Sequence, residues 1–588
     1  MDKRTIAAIV LIGLILIISN TSWYRYLTGV PQPQQDIEQE VTTTDEITSG
    51  GREAAGEQPI AETEIQPSRQ VTTEDVARKT PGIGSGIPAE ARTIIVRSPL
   101  YQGTIDTRGG VLTSWQIKPK KKDPAEQEWV PLLPEDVEKG ALGLVLRLSD
   151  DRIELDDLIF EANIDSLILS PERPRGTIAL TAKTDRGFRL EKIFEFDQDR
   201  HDFTLRVVID GADIFDNLRS YALWWRPGLP TTEENQKDDL NSFAAHTRLG
   251  DIIEKTGIKK GAVEDSSFTG NTGWLAIQTK YFLAAMITPD EVDGIGAELR
   301  GSYQKEDKEK DIKEKKLISG GILMELDDGR CDHRWTIYVG PMDYFTLKDL
   351  DIGLERTVNL GRWVLRWIGK VILYAFVNIY KVLPNYGLVI IIFSILVKTL
   401  FYPLTRKSIA SIRKMQELQP EIKKLQKKHK DDPARLQKAT MELYRQYNVN
   451  PASGCLPLLL QMPVFIAMFD VVRNTIVLRG ARFLWIKDLS APDAILRLPR
   501  EITFIGDKVN LLPIIMAVAM FIQQKKSMKD PKQAMMVYIM PLFLFFLFYK
   551  FSSGLVLYWT MFNLLQLIQE TIHPHKPTVV SSAEETAD

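Results

Sequence analysis

The spacing of apolar residues changes along the chain. They come first as one short run, then at alternate positions, and finally as runs long enough to cross a bilayer. The opening run, Ile6 to Ile18, follows Lys3 and Arg4 and precedes Trp23, Tyr24 and Tyr26, rings suited to a membrane interface. Residues 1–26 read as a transmembrane signal anchor, with no clear A-x-A cleavage motif; a cleaved signal sequence is the rival reading. Residues 27–92, rich in Gln, Glu, Thr, Pro and Gly, read as a disordered linker. From 93 to 345, short alternating segments are separated by turn residues. In Phe203–Asp210, for example, Phe203, Leu205, Val207 and Ile209 share one face. This spacing predicts a large β-sandwich, with the charged stretch 303–316 as an excursion between strands.

The last third is helical in period. Over 354–382, Arg362, Arg366 and Lys370 recur every fourth residue beside Trp363 and Trp367. This pattern suits an amphipathic helix lying in the membrane interface; a surface helix on the β-domain is the alternative. Apolar spans follow at about 385–404, 454–472, 511–525, 534–549 and 555–570, making six with the anchor. Between the first two, Ile409, Ile412, Met415, Leu418, Ile422 and Leu425, then Leu436, Ala439, Leu443 and Tyr447, form an apolar seam. They predict a basic helical hairpin over 406–447, with Asp432 capping its second arm and Pro433 at the first position. The fold class expected is a polytopic α-helical membrane protein plus an all-β domain.

Charge orients these pieces. The basic hairpin and Lys525, Lys526, Lys529 and Lys532 read as cytoplasmic, and Lys3 and Arg4 place the N-terminus there too. Both termini, including the tail 573–588, are then cytoplasmic and the β-domain is periplasmic. Basic residues in the loop 473–510 weigh slightly against this. A net charge of −3 argues against a DNA-binding footprint. The hairpin's local charge instead suits anionic phospholipid, RNA or acidic protein surfaces, or serves only as a topology signal. The two cysteines, Cys331 and Cys455, are not expected to pair, since Cys455 lies in an apolar span. No nucleotide-binding or hydrolase motif appears, and the histidines show no zinc spacing. Neither catalysis, a metal nor a cofactor is therefore expected.

The exception to apolarity is Lys398, the one charge in Tyr386–Tyr402. At mid-bilayer a lysine costs roughly 2.5–3.5 kcal/mol, so it marks either a function or an end near enough to snorkel to the headgroups. Ser394, Lys398 and Tyr402 recur at i, i+4 and i+8, a polar stripe that favours a protein- or water-facing position. Gln461 in the next span and Trp559, Asn563 and Gln566 in the last are further polar candidates. Interhelical hydrogen bonding is their simpler explanation.

Four motifs carry a resemblance: Phe401–Ile422, Asn450–Phe465, Leu484–Ser490 (LWIKDLS) and Phe551–Trp559 (FSSGLVLYW). In order and spacing the chain resembles the YidC-type membrane protein insertases, in the Gram-negative form with a large periplasmic domain. The resemblance implies an insertase and folding chaperone, not an enzyme, with five spans around a hydrophilic groove. It implies that Lys398, with Ser394 and Gln461, lines that groove, to which the stripe adds Tyr402. It also implies that Leu456, Pro457, Met462, Pro463, Phe465, Phe543 and Phe545 form an apolar slide. The implied partners are nascent membrane proteins, the Sec translocon, the ribosome through the hairpin, and anionic phospholipid. Lysine stands where the family usually has arginine, and the short tail is acidic where many relatives carry a basic one. A transporter or channel, and a membrane-anchored enzyme acting on envelope carbohydrate, are the competing readings.

Overall fold

The structure is a computed structural model. It describes residues 90–572 apart from 120–127, 136–138, 150, 184–186, 213–214, 216–217, 259–262, 291, 305–313, 451–455, 503–504 and 528–533. The expected anchor (1–26), nearly all of the linker (27–92), most of the charged excursion and the tail (573–588) lie outside the described residues. The chain forms two compact units, divided between Pro341 and Met342.

Among the described residues, the first unit is built from strands between Thr93 and Pro341, with one helix, α1 (Gln236–Ser242). Alternation decides which face is buried. Phe203, Leu205, Val207 and Ile209 are all buried, and the intervening residues are half-exposed. Their strand, Asp202–Asp210, pairs antiparallel with Arg189–Asp197 on one side and Cys331–Pro341 on the other. Tyr101, Trp115, Phe196 and Phe203 stack into an aromatic core, with the Tyr101 and Trp115 rings 5.0 Å apart. The expected two-sheet sandwich has no hydrogen-bonding break among the described strands, which are joined in one continuous sheet. The link is the sixteen-residue strand Val263–Gln278. Its first half pairs with Gly294–Gln304 and its second half with Phe282–Ile287. A register shift between Thr269 and Thr272 separates the halves, beside Gly270 at φ +121°. A bulge of this kind lets one strand turn a corner and serve two ladders, which period-2 patterning cannot reveal.

The second unit is helical. After α2 (Tyr344–Lys348) come α3 (Val364–Val382), α4 (Tyr386–Glu417), α5 (Gln419–Lys428), α6 (Pro433–Gln446), α7 (Leu456–Asn474), α8 (Leu511–Ser527), α9 (Ala534–Phe548) and α10 (Ser553–Ile572). A hairpin of two strands, Ala494–Ile502 and Gly506–Asn510, precedes α8.

Two boundaries differ from the sequence reading. The amphipathic helix begins at Val364, ten residues after position 354, so Arg362 and Trp363 are not on its face. Gly361 at φ +91° and Trp363 at φ +53° break the helical path. A Cβ on Gly361 would lie 2.8 Å from the Asp470 carboxylate, so the chain passes too close to α7 there for a side chain. The second difference is that α4 does not stop near Leu404. It continues through Pro403 to Glu417 and takes the start of the expected hairpin into the same rod. Proline removes one backbone donor, here the partner of the Thr399 carbonyl, but need not end a helix in a membrane segment.

Beyond α4, Leu418, Ile422 and Val449 pack with Met415, Leu443 and Tyr444, so part of the predicted seam closes on itself. The Asp432 carboxylate accepts the Arg435 N–H at 3.0 Å, and Pro433 opens α6.

Candidate functional site

Among the described residues, Tyr386–Pro403 is one helical segment long and apolar enough to cross a membrane; Val537–Phe548 is a shorter apolar helix. Asn385 caps the first of these by accepting the Leu388 N–H at 3.2 Å. That start fixes the phase of α4, so Ser394, Lys398 and Tyr402 follow one another down a face at successive turns. Ser394 is fully buried, Lys398 is 7% exposed and Tyr402 is half-buried.

The Lys398 ammonium lies among protein groups. It donates to Gln566 Oε1 on α10 and sits 4.2 Å from the centre of the Phe562 ring. These contacts suit a charge withdrawn from bulk water, because the amide oxygen and the ring face both present negative charge to it. Gln566 then passes the polarity on. Its Nε2 donates to Glu570 Oε1 at 2.9 Å, and Gln523 Nε2 on α8 donates to the same oxygen at 3.3 Å. Three helices thus contribute to one polar chain: α4, α8 and α10.

The other sequence candidates divide. Ser394 donates to the Ile390 carbonyl at 2.7 Å, and Asn563 donates to the Trp559 carbonyl at 2.7 Å, so both bond within their own helices. Gln461 lies beside Tyr558. Among the described residues, Trp559 Nε1 is buried with no hydrogen-bond partner.

The described residues of the expected slide differ in burial. Phe465 is buried, its ring 4.7 Å from Trp559 and 5.9 Å from Phe548. It belongs to the packing of α7 against α9 and α10. Phe543 is 55% exposed, while Phe545, Met462 and Pro463 are half-buried. Leu456 and Pro457 open α7, but their side chains lie outside the described residues.

Sequence reading missed Phe562, Gln523 and Glu570. The signal for Glu570 was present, because Asn563, Gln566 and Glu570 stand at i, i+3 and i+7 on one face of α10.

The β unit also holds buried ionisable groups. Lys192 is completely buried and gives its three N–H bonds to the carbonyls of Gly109, Gly110 and Leu142, at 3.1, 2.6 and 2.6 Å. Those bonds use up its donors, so it is a structural tie with nothing left for a ligand. Burial pushes its ammonium down to about 7. Burial also pushes His246 down to about 3, which keeps it neutral, and raises the Cys331 thiol to about 12, which keeps it unreactive.

A family model described as the 60Kd inner membrane protein matches residues 378–578, and one for the YidC periplasmic domain matches residues 93–375. The membrane protein insertase YidC of Chlorobium luteolum is 33% identical, covering 97% of this chain and 94% of its own. The chain belongs to the YidC family of membrane protein insertases. The YidC insertase of Chlorobaculum tepidum is 32% identical over the same shares of the two chains. A crystal structure of an active YidC insertase with its first transmembrane domain resolved is 19% identical. It covers 83% of this chain and 94% of its own, at a TM-score of 0.38. Membership makes this an inner-membrane protein whose β unit is the periplasmic domain.

Proposed function

We propose that the Lys398–Gln566 pair forms the polar floor of the groove through which this membrane protein insertase takes up its substrates. The observation that carries the reading is the position of Lys398. It is a lysine on an otherwise apolar helix, almost wholly buried, and its charge is answered by groups on a facing helix. A segment entering a bilayer must bring polar backbone and side chains through hydrocarbon, where each unsatisfied group costs several kcal/mol. A fixed cation with donors to spare attracts acidic and polar parts of the substrate. The apolar segment then gains by leaving for lipid, and the polar part is released. Ser394, Tyr402 and Gln461 border the same region on α4 and α7. The exposed Phe543 and half-buried Phe545 on α9 offer an apolar flank. No step forms or breaks a covalent bond, so the chain acts as an insertase and folding chaperone rather than an enzyme.

The rest of the reading follows the helices. Six spans, counting residues 1–26, put both termini in the cytoplasm. The arm α5–α6 then extends on the cytoplasmic side. Its exposed lysines and arginines suit anionic phospholipid and the ribosome. On α3, Val364, Trp367, Val371 and Tyr374 remain exposed along one stripe beside Arg366 and Lys370, which supports an interfacial placement. Substrates are nascent membrane proteins, received alone or with the Sec translocon. The test is complementation. In a strain depleted of its own insertase, the chain should restore insertion of a groove-dependent single-span protein, and Lys398→Glu should not. Normal insertion by Lys398→Glu would remove the groove cation from the account.

A further inference from the structure

We propose that Glu570 is the resting counter-ion of Lys398 and sets how strongly the groove distinguishes acidic from neutral substrate segments. The inference rests on the groove reading and adds to it a residue and a specificity. Its first support is the bridge. The Gln566 amide is held in one sense, with its oxygen accepting from the Lys398 ammonium and its nitrogen donating to the Glu570 carboxylate. An amide between a cation and an anion can satisfy both only in that orientation. The second support comes from another helix. Gln523 on α8 donates to the same carboxylate oxygen, so Glu570 is fixed from two directions.

The third support is the spare capacity of Lys398. An ammonium has three donors, and the bond to Gln566 uses one. An incoming carboxylate can therefore bind Lys398 without first displacing another anion. Once there, it shares the cation with Glu570, one helical turn beyond Gln566 on α10. Two carboxylates near one cation repel each other, so Glu570 weakens the hold on an acidic segment and hastens its departure. Without Glu570 the groove would hold acidic segments too long. Lysine makes such a partner effective, because its compact charge can be shared among acceptors arriving from different directions.

The test uses the full chain in vesicles of phosphatidylethanolamine and phosphatidylglycerol. The probes are a single-span protein whose translocated tail carries either two Asp or two Asn, and the readout is the Asp/Asn ratio of binding affinities. Glu570→Gln is expected to raise the ratio roughly three- to tenfold. Glu570→Asp keeps the charge but draws it back by one methylene, and should raise the ratio by less. Lys398→Met should bring the ratio close to one. A ratio unchanged or lowered in Glu570→Gln overturns the counter-ion role. Should that variant not fold, an unchanged ratio in Glu570→Asp overturns it instead. If Lys398→Met also leaves the ratio unchanged, the groove reading fails as well. If Lys398→Met collapses the ratio while Glu570→Gln does not move it, the counter-ion inference alone falls.

Discussion

Replacing Lys398 by methionine removes a charge while keeping most of the volume of the side chain, and the structure sets the size of the expected loss. At about 4 Å a lysine and a substrate carboxylate attract by ~1 kcal/mol in water and ~4 kcal/mol at an effective dielectric near 20. Lys398 is 7% exposed and partnered by Gln566 and the Phe562 ring, so it lies between these limits. A net value of about 2 kcal/mol, within the usual range for a hydrogen bond to a charged group, corresponds to roughly thirtyfold in affinity. The assay is binding of an acidic-tailed single-span protein to the reconstituted chain, with Lys398→Arg as the charge-retaining control. Salt supplies a second axis. Exposed charges are screened over about 8 Å at physiological ionic strength and about 3 Å at 1 M, and buried ones much less. The Lys398→Met loss should therefore persist at high salt, whereas any loss from neutralising the exposed Lys424 should vanish. Lys398→Met binding the acidic tail as tightly as the unaltered chain would refute the reasoning. So would a loss that disappears at high salt.

The remaining predictions concern folding. His246 has its folded value lowered from 6.5 to about 3, so between those pH values only the unfolded chain takes up the proton. Stability of the β unit should fall as pH drops through that window, and His246→Gln should flatten the slope in denaturant titrations. Lys192 has its folded value lowered from 10.5 to about 7, so stability should rise as pH rises from about 7 towards 10.5, and Lys192→Met should remove that rise. Asp432→Ala deletes the cap of α6 and should cost about 1 kcal/mol of local stability, read as faster amide exchange in the first turn of α6.

Much of this architecture could be read from spacing alone. Phe203 to Ile209 point inward because alternate strand residues share a face, and only hydrophobic burial is needed to predict it. The cap at Asp432 and the seam through Leu418, Ile422 and Leu443 are likewise local signals. What spacing could not supply depends on a distant partner or an unusual backbone angle. The start of α3 at Val364 is set by the close approach of Gly361 to Asp470, more than a hundred residues away in the chain. The continuous sheet depends on one bulged strand whose two halves pair with different neighbours. At the site, sequence located Lys398 and Gln566 separately, but only the packing of α10 against α4 joins them. Glu570 was overlooked because it sits at the very end of the apolar stretch, where a charge looks like a helix terminus. The packing of Phe465 against Trp559 and Phe548 likewise depends on partners far along the chain.

The central claim, that substrates pass along the face bearing Lys398, is tested most directly by site-specific photocrosslinking to a stalled nascent membrane protein. Probes placed at Ser394, Gln461 and Phe545 should each capture the nascent segment, while a probe at the exposed Trp367 on α3 should not. Capture from Trp367 with none from Ser394 and Gln461 would contradict the account.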